Sequence, residues 1–234
     1  MKIGSRFAFF ALLLACTATP ALSQHYYYIR SNAGQPWGQT SNEDAMDNVF
    51  GSSNWTTLYY ETLNVNQIFN SGTTFIFMEG GDSSFNSFQS FMQTNLGTIY
   101  TWINSGGMLL IMSAPNNPLS GAIVPLPDNI ILSSDAFYES AASSANAIDI
   151  SNSIFNTPNS AAYSFTGDFF SHGYFVGNNV TALMESNLNE IVLGQDAIGS
   201  GLMVFGGLTT DNFQQPQPAA HSLLENIIYY TAFY

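Results

Sequence analysis

The sequence predicts an α/β domain built on a single doubly wound, mostly parallel sheet flanked by helices. Three observations predict it. Short apolar runs alternate along the chain with segments of helical period. The run Met108-Leu109-Leu110-Ile111-Met112 is apolar without alternation, as a strand buried on both faces of a parallel sheet requires. From Ser83 to Asn104, Phe85, Phe88, Met92, Leu96, Ile99 and Ile103 recur every three or four positions, which makes one face of a long helix. Crossovers in such a sheet are expected to be right-handed.

Tyr26-Tyr27-Tyr28-Ile29 reads as the first strand, followed by the loop Gly34-Gln35-Pro36-Trp37-Gly38. Ser41 and Asp44 resemble a capping box before Ala45, Met46, Val49 and Phe50, and Gly51 stops that short helix. Leu58 to Thr62 and Thr74 to Met78 read as strands two and three, with Gly80-Gly81 soon after the latter. The long helix is capped by Asp82 or Ser83 and ended by Gly106-Gly107, and Phe91, Tyr100 and Trp102 widen its apolar stripe for packing on a sheet. Residues 113–181, rich in Ser, Asn, Ala and Pro, read as an excursion of loops and short strands such as Asn129 to Leu132. Ala182-Leu183-Met184, Glu190 to Leu193 and Leu202 to Phe205 restore the strand pattern. A last helix begins near Pro218 and buries Leu223, Leu224, Ile227 and Ile228.

The 234 residues carry 16 acidic and 3 basic side chains, for a formal charge of −13. Lys2 and Arg6 belong to the N-terminus, so Arg30 alone faces the carboxylates of the rest. Such a surface repels phosphate backbones and anionic headgroups, which excludes nucleic acid as a partner. Residues 1–23 read as a secretory signal: a basic start, an apolar run from Phe7 to Ala15, then Pro20 and Ala21-Leu22-Ser23 for cleavage. The run is too short to span a bilayer, and no later apolar stretch is long enough, so no integral membrane segment is expected after cleavage. An extracellular or periplasmic product follows, with residues 24–234 forming one domain. The alternative is a lipoprotein anchored at Cys16. Cys16 is the one cysteine, so a cleaved chain has neither a disulfide nor a thiolate nucleophile. Asn54 and Asn179 match glycosylation sequons, which chance accounts for in so Asn- and Thr-rich a chain.

A strand ending Glu79-Gly80-Gly81-Asp82, a helix closing with Trp102-Ile103-Asn104-Ser105-Gly106-Gly107 and a buried strand ending Ser113-Ala114-Pro115 resemble the class I glutamine amidotransferase-like fold. The likeness is to its secreted, trehalose-utilisation-like branch, and Gly199 to Thr210 followed by a helix with Leu224-Glu225-Asn226-Ile227 is also similar. The resemblance implies a flavodoxin-like sheet, a cysteine on a sharp turn after the buried strand, and a histidine after the C-terminal strand. Here Ser113-Ala114-Pro115-Asn116 occupies the turn, and Thr209 and Thr210 stand where the histidine is expected, with Asp211 beside them. Both halves of the nucleophile–base pair are missing, so thiol-dependent amide hydrolysis is not expected.

Ligands of open α/β sheets sit beyond the carboxyl ends of the strands. That rule nominates Arg30, Glu79, Asp82, Asn116, Thr209 and Asp211, with Trp37 and Tyr174 for stacking. Amides, carboxylates and aromatic faces of this kind suit a neutral polyhydroxyl ligand. Arg30 is also placed as a structural counter-ion for Glu79 or Asp82. The leading expectation is a non-catalytic domain that binds a glycan or a partner protein at the cell exterior. The alternative is a serine hydrolase using Ser113 and His172, although no Gly-x-Ser-x-Gly word occurs. His25, His172 and His221 are isolated, and His221 with Glu225 reads as a surface contact rather than a ligand pair. Calcium is the one cation the acidic, Asn-rich loops suit, with Glu79 and Asp82 the close pair. A β-barrel, prompted by Tyr229 to Tyr234, conflicts with the continuous runs Phe75–Met78 and Met108–Met112.

Overall fold

The computed structural model describes residues 25–115, 123–134 and 142–234. The signal region, Cys16 and Asn116 lie outside the described residues. In chain order the first half holds β1 (His25–Arg30), α1 (Ser41–Phe50), β2 (Trp55–Tyr59), α2 (Val65–Ile68), β3 (Thr73–Glu79), α3 (Phe85–Asn104) and β4 (Met108–Met112). The second half holds β5 (Ile123–Pro125), β6 (Ile131–Ser134), β7 (Ala142–Ala147), β8 (Ser164–Ser171), β9 (Gly173–Val176), β10 (Thr181–Ser186), β11 (Ile191–Ile198), β12 (Gly201–Gly206) and α4 (Ala219–Ala232).

Five strands run parallel in the order β2-β1-β3-β4-β12. The central ones are buried on both faces, which is why their sequences are apolar without alternation. Successive residues still serve opposite layers. Phe75 and Phe77 pack into the cluster that includes Ala45 and Met46 of α1 and Leu223 and Ile227 of α4. Ile76 and Met78 join Phe88, Met92, Ile99 and Trp102 of α3 on the other side.

The expectation of a mostly parallel, doubly wound sheet needs correction. Beyond β12 the sheet continues through β11, β10, β7 and β8, each antiparallel to its neighbour. The reason is local: β11 turns into β12 through Gly199-Ser200, with Gly199 at φ +61°, and so short a hairpin admits only antiparallel pairing. This half curls. Ser171 bridges Leu208 and Thr166 bridges Gln215, so β8 returns onto the segment leaving β12 and forms a half-barrel. A side branch, β5-β6-β9, pairs in register with β11 at Phe175 opposite Ile191, and Phe175 packs on Phe205 of β12. The excursion read as loops and short strands thus supplies five strands, β5 to β9, to the mixed sheet.

Candidate functional site

The carboxyl ends of β1, β3, β4 and β12 converge on one edge, and β3 delivers the most unusual group there. Glu79 is 3% exposed. One carboxyl oxygen accepts from Asn42 Nδ2 at 2.6 Å and the other from the Gly81 amide at 2.5 Å. Burial pushes its carboxyl up to about 8, the nearby Glu43 and Asp82 charges adding to the effect while the two hydrogen bonds oppose it. Gly81 is required for this fold-back, since a Cβ there falls 2.8 Å from Glu79 Oε1 and 2.9 Å from the Trp37 ring. Trp37 and Asp82 both hold positive φ, at 50° and 43°, and the Trp37 amide donates to Asp82 Oδ2 at 2.8 Å. Two non-glycine residues in this sparsely populated conformation, tied to each other, are strain of the kind that collects at functional edges.

Across from Glu79 the segment after β12 contributes Thr209, Thr210 and Asp211. Thr209 is held by the barrel closure: its amide donates to Phe170 O at 3.0 Å and its hydroxyl to the same oxygen at 3.1 Å. Asp211 Oδ2 accepts from His221 Nδ1 at 2.8 Å, and His221 Nε2 lies 3.2 Å from Glu225 Oε1. His221 is therefore bracketed by two carboxylates, an arrangement that its i,i+4 spacing to Glu225 hinted at and that Asp211 completes through the tertiary fold. Asp211 Oδ1 and Thr210 Oγ1 are buried and have no hydrogen-bond partner among the described residues. Both residues, with Glu79, Asn42 and Trp37, line a cavity of about 20 Å³. That is room for one water molecule and not for a sugar ring.

The remaining nominated residues take other partners. Arg30 Nε lies 3.3 Å from Glu43 Oε1, its Nη1 donates to Ser31 O and Gly34 O, and its guanidinium sits over the Tyr59 ring at 5.1 Å. Its counter-ion is thus Glu43 rather than Glu79 or Asp82. Ser113 is fully buried and its hydroxyl donates to Gly80 O at 2.8 Å. His172 Nδ1 lies 3.2 Å from Pro115 O, an acceptor only, so Nδ1 carries the proton. Burial lowers the His172 pKa against the opposing Pro115 carbonyl and Asp82 charge. These bonds aim Ser113 and His172 at two different carbonyls rather than at each other. The imidazole also meets the Trp37 ring edge-on, at 6.2 Å between centroids. Tyr174 lies in β9, paired with Ser133. Asn116 falls outside the described residues.

Sequence reasoning missed Asn42, Glu61 and the Asp211–His221 contact. Desolvation pushes the Glu61 carboxyl up, but it is outweighed by hydrogen bonds from Ser31 Oγ and Ser87 Oγ, both at 2.7 Å, from its own backbone amide and from the Asn32 amide at 3.1 Å, which together draw it down to about 2. No motif could have signalled it, since its other donors come from 26 to 30 positions away. Both Glu79 oxygens and Asp82 Oδ2 accept from N–H donors. Among the described residues no three His, Cys, Asp or Glu side chains converge for a metal, and no helix is long and apolar enough to cross a membrane. At the opposite, amino edge of β3 and β4 lies a groove of about 700 Å³ lined by Asn70, Ser71, Thr98, Thr101 and Ser105, with Trp102 and Phe69 beneath. None of its lining residues is charged.

No family model matches the chain, and no curated protein matches it. Solved structures do. A putative GMP synthase component from Thermoplasma acidophilum is 11% identical, with a TM-score of 0.54 over 88% of this chain and 94% of that one. A cytoplasmic protein from Salmonella typhimurium is 12% identical, with a TM-score of 0.51 over 88% and 98% of the two chains. At such identities the likeness is one of fold alone, an α/β architecture shared over most of each chain.

Proposed function

We propose that this chain is a secreted, non-catalytic amidotransferase-like domain, exported by its N-terminal segment, that binds a neutral glycan at the cell exterior. Its parallel half follows the flavodoxin-like strand order, the finer reading of the fold. The observation that carries the non-catalytic reading is the state of the elbow. Ser113 is buried, its hydroxyl is held by the Gly80 carbonyl, and His172 turns its Nδ1 to the Pro115 carbonyl. Nucleophilic catalysis needs a serine in hydrogen-bond contact with its base and within reach of substrate. The cavity beside Glu79 takes a water, so the glycan belongs in the uncharged groove between Asn70 and Ser105, where hydroxyl and amide groups face a space of suitable size.

A protein partner is the second reading, favoured by Ile148, Ile150 and Tyr163, which are 50%, 57% and 42% exposed. Asn156 ties two of them together, accepting from the Tyr163 hydroxyl and donating to Ile150 O. The lipoprotein form anchored at Cys16 is tested by metabolic labelling with a fatty acid. Thermal shift of the purified chain against neutral oligosaccharides tests the main proposal. A saturable rise with one sugar class that Thr101→Trp abolishes supports it. No shift with any sugar moves the reading to a protein partner. Labelling by a serine-directed phosphonate that Ser113→Ala removes would overturn the non-catalytic reading in favour of a hydrolase.

A further inference from the structure

Helix α3 shows solvent a face that carries no charge. Its residues, Phe85–Asn104, include no Lys, Arg, Asp or Glu, and Gln93, Gly97, Tyr100, Thr101 and Asn104 recur on the exposed side. In a chain with 16 acidic side chains, a surface helix of this length ordinarily carries some of them on its outer face. The groove that runs from Asn70 to Ser105 takes in Gly97 of this helix. Between α3 and the β5–β6 turn lies a second groove of about 500 Å³, lined by Leu96, Tyr100, Pro125 and Leu126, and Gly97 belongs to it as well. Asp128, the one charged residue lining the second groove, accepts from Asn179 Nδ2.

Packing does not call for a glycine at position 97. It lies inside a helix with an ordinary helical backbone, and a Cβ built on it meets no atom within 4 Å. Gly107 in the first groove is the opposite case, since a Cβ there falls 2.3 Å from the Trp102 ring. A helix-interior glycine costs stability relative to alanine, and what it offers in return is close approach to the backbone. At Gly97 that approach opens the way from one groove to the other. Thr101 Oγ1 donates to Gly97 O at 2.8 Å, which leaves its oxygen free to accept. Tyr100, 40% exposed, presents its ring on the second side.

We propose that the ligand is a linear, neutral oligosaccharide that crosses α3 over Gly97 and occupies both grooves. This deepens the glycan reading of the first groove and rests on it. Sugar hydroxyls pair with Ser71, Thr98 and Thr101 on one side, and a sugar C–H face lies on Tyr100 on the other. A single ring fills one groove, and only a chain reaches both. An acidic polysaccharide is repelled by the net charge of the protein.

The test is calorimetry on the purified chain with ladders of one to six residues of neutral glucose, mannose and N-acetylglucosamine oligomers. The longest member of the binding ladder should bind about tenfold or more tighter than the disaccharide. Tyr100→Ala should weaken the long ligand by about fivefold or more and remove most of that gain. Gly97→Ala should raise the melting temperature by about 1 to 4 °C, as restored helix propensity requires, and still weaken the long ligand. A glycine with a merely structural role gives no such opposition of stability and affinity. Binding that is equal for long and short ligands, or untouched by both substitutions, overturns this inference and leaves the glycan reading standing. Absence of binding by every ladder overturns both.

Discussion

Glu79→Gln removes a buried carboxyl whose ionisation the fold opposes. The carboxyl rises from its ordinary 4.5 to about 8 in the folded chain because burial strips its water. Between those values the folded state holds a proton that the unfolded state has released. Stability therefore falls as pH rises through the window, by about 1.4 kcal/mol per pH unit, and levels off above 8. Across the whole window this approaches about 5 kcal/mol, an upper limit, since water entering the adjacent cavity would lower the cost. Glutamine is isosteric, keeps an acceptor for the Gly81 amide and cannot ionise. Urea denaturation of both proteins at half-unit steps from pH 4.5 to 9 isolates the group, because Asp196 and other titrating residues cancel in the difference. The wild type should lose about 2 to 5 kcal/mol relative to Glu79→Gln between pH 5 and 8.5. Parallel stability curves over that range would refute the reasoning.

Two further outcomes follow from the same edge. Gly207→Ala drives a Cβ into Gly173 O, against backbone that cannot swing aside, where the half-barrel closes on β12. A loss of about 3 kcal/mol or more is expected by denaturation, with the melting transition broadened. Glu61 is the opposite case to Glu79. Its carboxyl is drawn down to about 2 by hydrogen bonds that outweigh its desolvation, so its contribution is present above its ordinary 4.5 and is lost as pH falls toward 2. Because the group is exposed, Glu61→Gln should cost less than about 1 kcal/mol at pH 7. That deficit should shrink toward zero as the pH is lowered to 2, as measured by urea titration at the two pH values.

Local signals were enough for α3 and β4, whereas strand two, read as Leu58 to Thr62, is Trp55–Tyr59. The helical period of Phe85 to Ile103 and the continuous run Met108–Met112 mark α3 and β4 because each buries a face or faces whose period is written in consecutive residues. Composition likewise carried the expectation that a chain cleaved after residue 23 has no thiol nucleophile. The second half was less legible. β7, Ala-Ser-Ser-Ala-Asn-Ala, carries no β-branched or aromatic residue, and it is a strand because β8 and β10 pair with it on either side. The site divides in the same way. Glu79-Gly80-Gly81-Asp82 stood out as a strand end, yet its raised carboxyl comes from burial by two layers, with the nearby Glu43 and Asp82 charges, against the Gly81 and Asn42 hydrogen bonds. Arg30 was visible as the lone cation, but its partner Glu43 comes from a helix that only packing brings beside β1. What the sequence determined by itself was everything set by periodicity and by which residue types are absent. What the tertiary structure alone decided was which charged group faces which, because solvation and pairing depend on contacts between separate segments, such as Asp211 with His221.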